Sequence, residues 1–505
     1  MLTLSGCDPA QNGKGDASRS DEGVYTSLSQ IEDKRIGVTT GSIQAVQAEE
    51  RFPNATFFYF STSPDMLNAL KSNKVDAIAD SDILIEYMMA EEPALTYIEE
   101  PLASGMNASA IFAKTDKGQQ LRDEYNVFLK EAKASGEYDE VTQIWTGSDE
   151  SKKVVPDLGG LPATNGTLHM AADLTLTPFE FVKNNEPAGI DIDMAYRFGK
   201  ARGYAIKLEN MDFGAIIPSI TSGKSDFAAG GVVYTEERAE SVLFSDPTYE
   251  GGSVIGVLKK DASAGAGFLS SLKESFEKTF LRESRWKLFV EGIGNTLLIT
   301  VLSIALGTLL GFAAYLACRG GNVVANRIAG AFVWLINGMP VVVLLMVLFY
   351  IVFGNTDLSG LAVSIVAFSL IFGAAMFGML RSGVNAVDKG QTEAAYALGY
   401  TDRKAFFCMI LPQAAIHFMP TYRGQVVSLL KATAVVGYIA VQDLTKMGDI
   451  VRSRTYEAFF PLIAITVIYF VLAAVLIWII ARVTRHINPR NRSPKKVLEG
   501  VQTHD

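Results

Sequence analysis

Cysteine is scarce. Cys7, Cys318 and Cys408 are the only three in 505 residues, far apart, and two lie within or beside uncharged apolar runs. Such spacing supports neither a disulfide framework nor a metal cluster. A phosphate-binding loop is also missing. Gly223-Lys224-Ser225 has the ending of one, but the glycine needed five positions earlier is Pro218. Charged residues make up 20% of the chain against 49% hydrophobic ones, too apolar and too long for one soluble domain. The charges are also unevenly placed. Residues 1–300 hold 28 Lys/Arg against 45 Asp/Glu, and residues 301–505 hold 17 against 9. An acidic first part joined to a basic, apolar second part argues against nucleic-acid binding.

What is present is a set of long uncharged runs. Leu297–Cys318, Ile328–Phe353, Leu361–Leu380 and Ala458–Ala481 contain 22, 26, 20 and 24 residues, and about 20 suffice to span the hydrocarbon of a bilayer. A weaker fifth span covers roughly Ile416–Val441 and carries Arg423 and Lys431. Ionisable residues there face a protein interior or a wet cavity, or snorkel to the interface. Basic residues flank one set of loops: Arg319 and Arg327, then Arg381, Lys389, Arg403 and Lys404, then Arg482 to Lys496. The Gly354–Gly360 loop holds only Asp357. The positive-inside bias puts the loop around Glu393 and the C-terminus in the cytoplasm, and five spans then put residues 1–290 outside. Just before the first span, Phe268, Leu272, Phe276 and Phe280 recur every four residues. They form one apolar helix face, suited to the outer membrane surface or to packing on the extracellular domain.

Glu393-Ala394-Ala395-Tyr396-Ala397-Leu398-Gly399, with Leu411-Pro412-Gln413-Ala414 twelve residues on, sits between two spans. Its first piece is helix-forming, Gly399 can stop a helix, and Pro412 resists continuing the second. The spelling resembles the coupling loop of ATP-binding-cassette importer permeases, and the resemblance over residues 290–485 points to their amino-acid branch. Gly390-Gln391 precedes Glu393 as in that branch, and Lys431-Ala432-Thr433-Ala434 resembles its Lys-x-Thr/Ser-Ser stretch. Asn337-Gly338-Met339-Pro340 departs from its Arg-Gly-Thr-Pro at two of four positions. The resemblance implies an energy-coupled import channel whose Glu393, Ala394, Ala395 and Gly399 shape a knob for a separate ATPase subunit. ATP and Mg would then be bound by that partner, with no cofactor on this chain.

The first 260 residues alternate strands and helices in two blocks. Arg35–Val38, Phe57–Phe60 and Val75–Ala79 are expected strands, with helices at Gln44–Arg51 and Pro64–Lys71. Leu168–Ala172, Tyr204–Leu208 and Asp226–Ala229 are the strands of the second block, with helices at Asp193–Arg202 and Phe213–Ser222. Such units build doubly wound parallel sheets with ligands at the carboxyl ends of strands. The second block resembles the first lobe of periplasmic amino-acid-binding proteins through DLTLTPFEF at 173–181, GIDIDMA at 189–195, TEER at 235–238 and FSDPTYEGG at 244–252. The first block resembles their second lobe through KRIGVTTGS at 34–42, LKSNKVDAIAD at 70–80 and ASGEYDEVTQIW at 134–145. The lobe order is thus swapped, a circular permutation with residues 147–167 bridging the old termini; neighbouring chain ends make that sterically easy.

An amino acid presents a carboxylate and an ammonium together, so a binding site needs a fixed cation and an anion. Arg238 offers a planar fork of donors for the carboxylate, the role the resemblance gives it. Phe213 would be an apolar wall and Asp173 a polar contact at a strand end. Thr39, Thr40, Gly41 and Ser42 would donate from a helix start on the other lobe. Three positions depart from the family: Leu176 stands for a covering aromatic, Val233, with Gly231 on the same strand, for a Ser/Thr, and Ser81 for the carboxylate that pairs the ammonium. Asp80 and Asp82 flank Ser81; shifted by one on a strand, each would point to the opposite face, though a loop could turn one inward.

The expectation is therefore a two-lobed α/β clamshell of the periplasmic-binding-protein type, lobes in swapped order, followed by an all-α five-span permease. Residues 1–23 would be a tether, 24–150 lobe 2 with return helices and 151–265 lobe 1. An interfacial helix (266–292), the transmembrane domain (293–486, coupling loop about 388–414) and a cytoplasmic tail (487–505) would follow. Leu4-Ser5-Gly6-Cys7 looks like the lipobox of a bacterial lipoprotein, but the apolar stretch before it is short and lacks a basic start, so either the chain begins late or the match is chance. The function expected is that of a non-enzymatic importer subunit in a bacterial cytoplasmic membrane, working as a homodimer in the lipid bilayer with ATPase partners. It would take a small polar solute, an amino acid first. Two rivals remain: a clamshell that only regulates the permease, and a ligand-gated channel suggested by Val435-Val436-Gly437-Tyr438.

Overall fold

A computed structural model describes residues 25–485 except 61, 93, 148, 260–267, 355, 357 and 456–458. Cys7, the tether and the C-terminal tail lie outside the described residues. Two compact units emerge, one from residues up to 61, 66–104 and 251–266, the other from 62–65, 105–250 and 267 onward.

In chain order the first elements are β1 (Arg35–Thr39), α1 (Ile43–Arg51), β2 (Thr56–Phe60), α2 (Ser63–Lys71), β3 (Ala77–Ser81), α3 (Asp82–Glu91), β4 (Leu95–Tyr97) and β5 (Ala103–Ala113). In the first unit β1 lies parallel between β2 and β3. Ser42 caps α1, its hydroxyl accepting the Ala45 amide at 3.1 Å, which is why the helix begins where the strand's apolar alternation ends. Ile36, Val38, Ala48, Phe52 and Ala79 make its core.

The chain continues with α4 (Asp116–Ser135), α5 (Glu137–Thr146), β6 (Thr167–Ala172), β7 (Thr175–Leu176), β8 (Glu180–Lys183), β9 (Glu186–Ala188), α6 (Ile190–Arg202), β10 (Ala205–Asn210), α7 (Phe213–Thr221), β11 (Phe227–Val233), α8 (Glu236–Ser241) and β12 (Val242–Leu258). In the second unit β6 pairs in parallel with β10 and β11, and β5 runs antiparallel to β11. The long strands β5 and β12 carry the chain from one unit to the other; β12 ends antiparallel to β3. Both blocks are thus βαβαβ folds, as the alternation implies. The helices α4 and α5 pack on α6 of the later block through Tyr125 against Phe198 (5.2 Å between ring centres) and the Trp145 indole bond to Asp193.

The helical part contains α9 (Phe268–Phe276), α10 (Trp286–Arg319), α11 (Val323–Gly338), α12 (Val341–Met346), α13 (Gly360–Asn385), α14 (Lys389–Ala397), α15 (Asp402–Ala405), α16 (Leu411–Ala432), α17 (Leu444–Thr455) and α18 (Phe459–Arg485). Three helices, α10, α13 and α18, are long and apolar enough to cross a membrane alone, and two bent pairs bring the number to five at most. The uncharged run Ile328–Phe353, expected as one span, breaks at Met339-Pro340 into segments at 111°; Pro340 has no N–H for a helical bond and clashes with the preceding turn. The fifth span also bends, by 60°, after Ile439. Ala440 adopts φ +58° there and ends the helix.

A packing device absent from the sequence reading joins the spans. A Cβ on Gly311 would lie 2.5 Å from the Gly373 carbonyl, and one on Gly307 2.8 Å from that of Ser369. Small residues four apart let α10 and α13 touch backbone to backbone. Phe280 packs at 4.9 Å on Phe289 and at 6.3 Å on Phe460, and Phe276 at 6.2 Å on Phe460. Phe276 and Phe280, the later half of the face expected to rest on the membrane surface or the extracellular domain, therefore meet the transmembrane helices. Val435–Tyr438 lie in a tight helical turn over Thr433–Ile439, with Val436 and Gly437 buried; a potassium filter needs extended backbone with inward carbonyls, so that resemblance is not realised in the fold.

Candidate functional site

The carboxyl ends of β6 and β10 form the edge where a doubly wound sheet takes ligands. Asp173 follows β6 directly. One of its carboxylate oxygens, Oδ1, accepts the Thr175 amide and hydroxyl at 3.2 and 2.9 Å; Oδ2 accepts the Phe213 amide at 3.1 Å. The carboxylate thereby caps the start of α7, which fixes Phe213 beside it.

Arg238 reaches the same neighbourhood from another element. Thr235 caps α8 by accepting the Arg238 amide, and the guanidinium Nη1 donates to the Val233 carbonyl at 2.9 Å. Its centre lies 6.0 Å from the middle of the Phe213 ring, within cation–π range. Burial lowers its pKa from the ordinary arginine value, and the Glu237 charge partly opposes this. Val233, which stands where the family has a hydroxyl, thus offers its carbonyl to orient the arginine. Gly231 takes φ +62° on the same strand, and Leu176 is half-buried in β7.

The first unit holds the remaining ligand candidates. Thr39 closes β1 with its hydroxyl buried and without a bond partner. The Thr40 amide donates to the Phe60 carbonyl at 2.8 Å, Gly41 takes φ +74°, and Ser42 is occupied as the α1 cap. Asp80 and Ser81 are both buried at the end of β3. Asp80 accepts the Ser81 amide at 2.8 Å, and Asp82 accepts the amides of Ile83 and Gly252 at 2.8 and 2.7 Å. Asp80 and Asp82 therefore both hold backbone amides, and Ser81 carries no side-chain cap bond at the start of α3.

Sequence reasoning missed the group that contacts Asp173 from the helical part. Lys446, on α17, is 3% exposed and places Nζ 2.7 Å from Asp212 Oδ1, 3.2 Å from the Met211 carbonyl and 3.3 Å from Asp173 Oδ1. Asp443 sets its position by accepting the Thr445 and Lys446 amides at 3.0 Å each. Beside it Gln442 and Asn210 exchange two bonds of 2.9 Å. A Cβ on Gly437 would meet the Asp212 carboxylate at 3.2 Å, so a larger residue there would push that carboxylate by a few tenths of an ångström. Further along, Lys224 donates to the Thr356 carbonyl at 2.6 Å and Asn185 to that of Glu283 at 3.1 Å. The later α/β block is bonded to the helical part over a broad front.

A buried acid lies near this edge. Asp191, in the first turn of α6, has its pKa raised to about 7 by burial, opposed by the Gly231 amide. Its folded pKa exceeds its unfolded one, so its contribution is fully present below about pH 4 and lost as pH rises to about 7. The melting temperature of the full chain in nanodiscs, followed by Trp145 fluorescence, is expected to fall across that interval. Asp191→Asn should flatten the fall, which is worth on the order of a few kcal/mol; an unchanged slope removes Asp191 as its source.

The coupling candidates form a separate projection. In α14 Glu393 and Ala394 are exposed and Ala395 is fully buried as the anchor. Gly399 takes φ +79°, and its amide donates to the Tyr396 carbonyl while Tyr400 donates to that of Ala395, a left-handed helix stop. The turn is braced: the Tyr396 hydroxyl and Arg319 both donate to Asp402, at 3.0 and 2.7 Å, and Gln413 to Gln391 at 3.1 Å. Leu398 is 73% exposed at its tip. Among the described residues no group of His, Cys, Asp and Glu could hold a metal ion.

Comparison with known proteins agrees with both parts of this description. Residues 168–406 match the family of bacterial extracellular solute-binding proteins, family 3. The L-cystine transport system permease protein TcyL of Bacillus subtilis is 31% identical over 191 residues, 36% of this chain and 80% of that protein. The arginine transport system permease protein ArtQ of the same organism is 32% identical over 203 residues, 39% of this chain and 91% of that one. A putative glutamine transport system permease protein of Rickettsia bellii is 32% identical over 199 residues, covering 38% and 89%.

Proposed function

We propose, for a chain that belongs to the family of amino-acid ABC-transporter permeases, that it is a binding protein and permease in one polypeptide, importing an amino acid across the cytoplasmic membrane. The relatives are transporter components rather than enzymes, from systems named for cystine, arginine and glutamine transport. The observation that carries the reading is a distance. Lys224 of the α/β block bonds to Thr356, just before α13, and the knob on α14 begins just after it. A helix of 26 residues spans about 39 Å at 1.5 Å per residue, more than the roughly 30 Å of hydrocarbon. That separation supports a trap and a knob on opposite sides of one bilayer.

The basic residues flanking that knob support a cytoplasmic position for it and for the C-terminus, where a separate ATPase subunit would bind ATP and Mg and grip α14. One permease domain per chain calls for a homodimer. Arg238, Phe213 and Asp173 are the solute contacts of the second unit, while Thr39 to Ser42 and Asp80 to Asp82 rest on the family resemblance alone. The packing of α4 and α5, which follow the first block in sequence, on the later block supports a circular permutation of the lobes, with residues 147–167 bridging the old termini.

Reconstitution in liposomes with an ATPase of this transporter class tests the reading. Accumulation of a labelled amino acid against its gradient, only with ATP, is the expected result. Passive ion flux would indicate a channel, and amino-acid-dependent ATPase activity without accumulation would indicate a sensor.

A further inference from the structure

We propose that Lys446 is a tethered stand-in for the solute's cationic group, held on Asp173 until the solute displaces it. The inference rests on the binding-protein reading above and adds a competitor to that site. Three features occur together in the fold. Asp173, Asn210, Met211 and Asp212 all lie at the carboxyl ends of β6 and β10, the edge that ligands occupy in sheets of this kind. All four are bonded to Gln442 or Lys446 of the helical part. The lysine is 3% exposed while meeting two carboxylates and a carbonyl, the acceptor set an amino acid's ammonium, or a cationic side chain, would seek.

The surrounding segment is built to place that ammonium. Gly437 allows the backbone to approach Asp212, Ala440 ends the preceding helix with φ +58°, and Asp443 caps α17 three residues before the lysine. Only then does the side chain reach across to Asp173. A simple surface ion pair would not require a glycine, a left-handed stop and a buried cap in ten residues.

Competition of this kind has a consequence for affinity. The apparent dissociation constant is the intrinsic one divided by the fraction of molecules whose Asp173 is free, so a lysine bound nine-tenths of the time weakens binding about tenfold. It also supplies a release step, because re-entry of the lysine and departure of the solute are one exchange of cations on a carboxylate. The number of cations facing the two carboxylates is then the same before and after the exchange.

The test uses the full chain in nanodiscs and a panel of the twenty common L-amino acids plus ornithine, with binding followed by calorimetry. Lys446→Met is expected to bind the recognised amino acid about tenfold more tightly than the native chain. Lys446→Leu, a second uncharged side chain that leaves both carboxylates in place, is expected to move affinity in the same direction and covers the case in which Lys446→Met does not fold. In Lys446→Ala, millimolar ethylammonium should weaken binding again, and should do nothing to the native chain. Equal affinity in the native chain and both first variants overturns the tethered competitor while leaving the importer intact. A panel in which neither native chain nor variants bind any member overturns both.

Discussion

Glu393→Ala and Gly399→Val are each expected to reduce ATP-driven uptake in liposomes to the level without the chain, with solute binding unchanged. Glu393 is an exposed carboxylate on a helix whose only fully buried member is Ala395, so its removal costs little stability. The loss would fall on the contact with the ATPase. Gly399 acts through the backbone. Nothing lies within 4 Å of a Cβ placed there, yet its φ is +79°, a conformation that costs a β-branched residue about 1–2 kcal/mol or more. Valine would re-aim the turn that Asp402 and Gln413 brace, whereas Gly399→Asn, which tolerates that conformation, should keep most of the uptake. Uptake and ATPase stimulation measured side by side check the result. Native uptake by Glu393→Ala and Gly399→Val would remove the coupling assignment.

Much of this architecture could be read before the fold was known, where the signal is local. The strand expected at Arg35–Val38 is Arg35–Thr39, and the helix expected at Phe213–Ser222 is Phe213–Thr221. In both, apolar periodicity changes at a residue that can cap or stop an element. The span expected at Leu297–Cys318 lies inside Trp286–Arg319, because absence of charge over 22 residues is itself the property that selects a membrane helix. The same criterion failed at Met339-Pro340, since hydropathy is blind to a 111° break between two apolar halves. It also passed over Gly307 and Gly311, although glycines four apart in an apolar run are a readable contact signal.

The site was less legible, and the reason is sequence distance. Asp173 was singled out as a ligand contact; in the fold it accepts the Phe213 amide, and Arg238 lies 6.0 Å from the Phe213 ring. Lys446 lies 273 positions from Asp173. Between Asp443 and Asp449 it reads as one charge in a mixed polar turn, the composition of a solvated loop. Its one local clue is Asp443, three residues ahead, which marks a helix start and so predicts that the lysine has a fixed direction. No sequence pattern says what lies in that direction.

Arg238→Ala is expected to weaken solute binding by roughly 30-fold to several thousand-fold, which corresponds to the 2–5 kcal/mol lost when one partner of a buried charge pair is removed. The guanidinium is set for a carboxylate by two contacts on opposite sides: Nη1 is held by the Val233 carbonyl, and the plane rests near the Phe213 ring. A guanidinium meets the two oxygens of a carboxylate through paired N–H bonds in one plane. Lysine keeps the charge but not the fork, so Arg238→Lys should recover only part of the loss. Melting of the full chain in nanodiscs reads the effect: a solute at a hundred times its dissociation constant raises stability by about 2.7 kcal/mol, and that increment should vanish in Arg238→Ala at the same concentration. An undiminished increment would mean the carboxylate is held elsewhere. Combining the change with Lys446→Met separates the two ends of the solute. If the arginine grips the carboxylate and the lysine competes only for the cation, the two effects have opposite sign and should add, since they act on different ends of the solute. A strong departure from additivity would place both side chains on the same end of the solute.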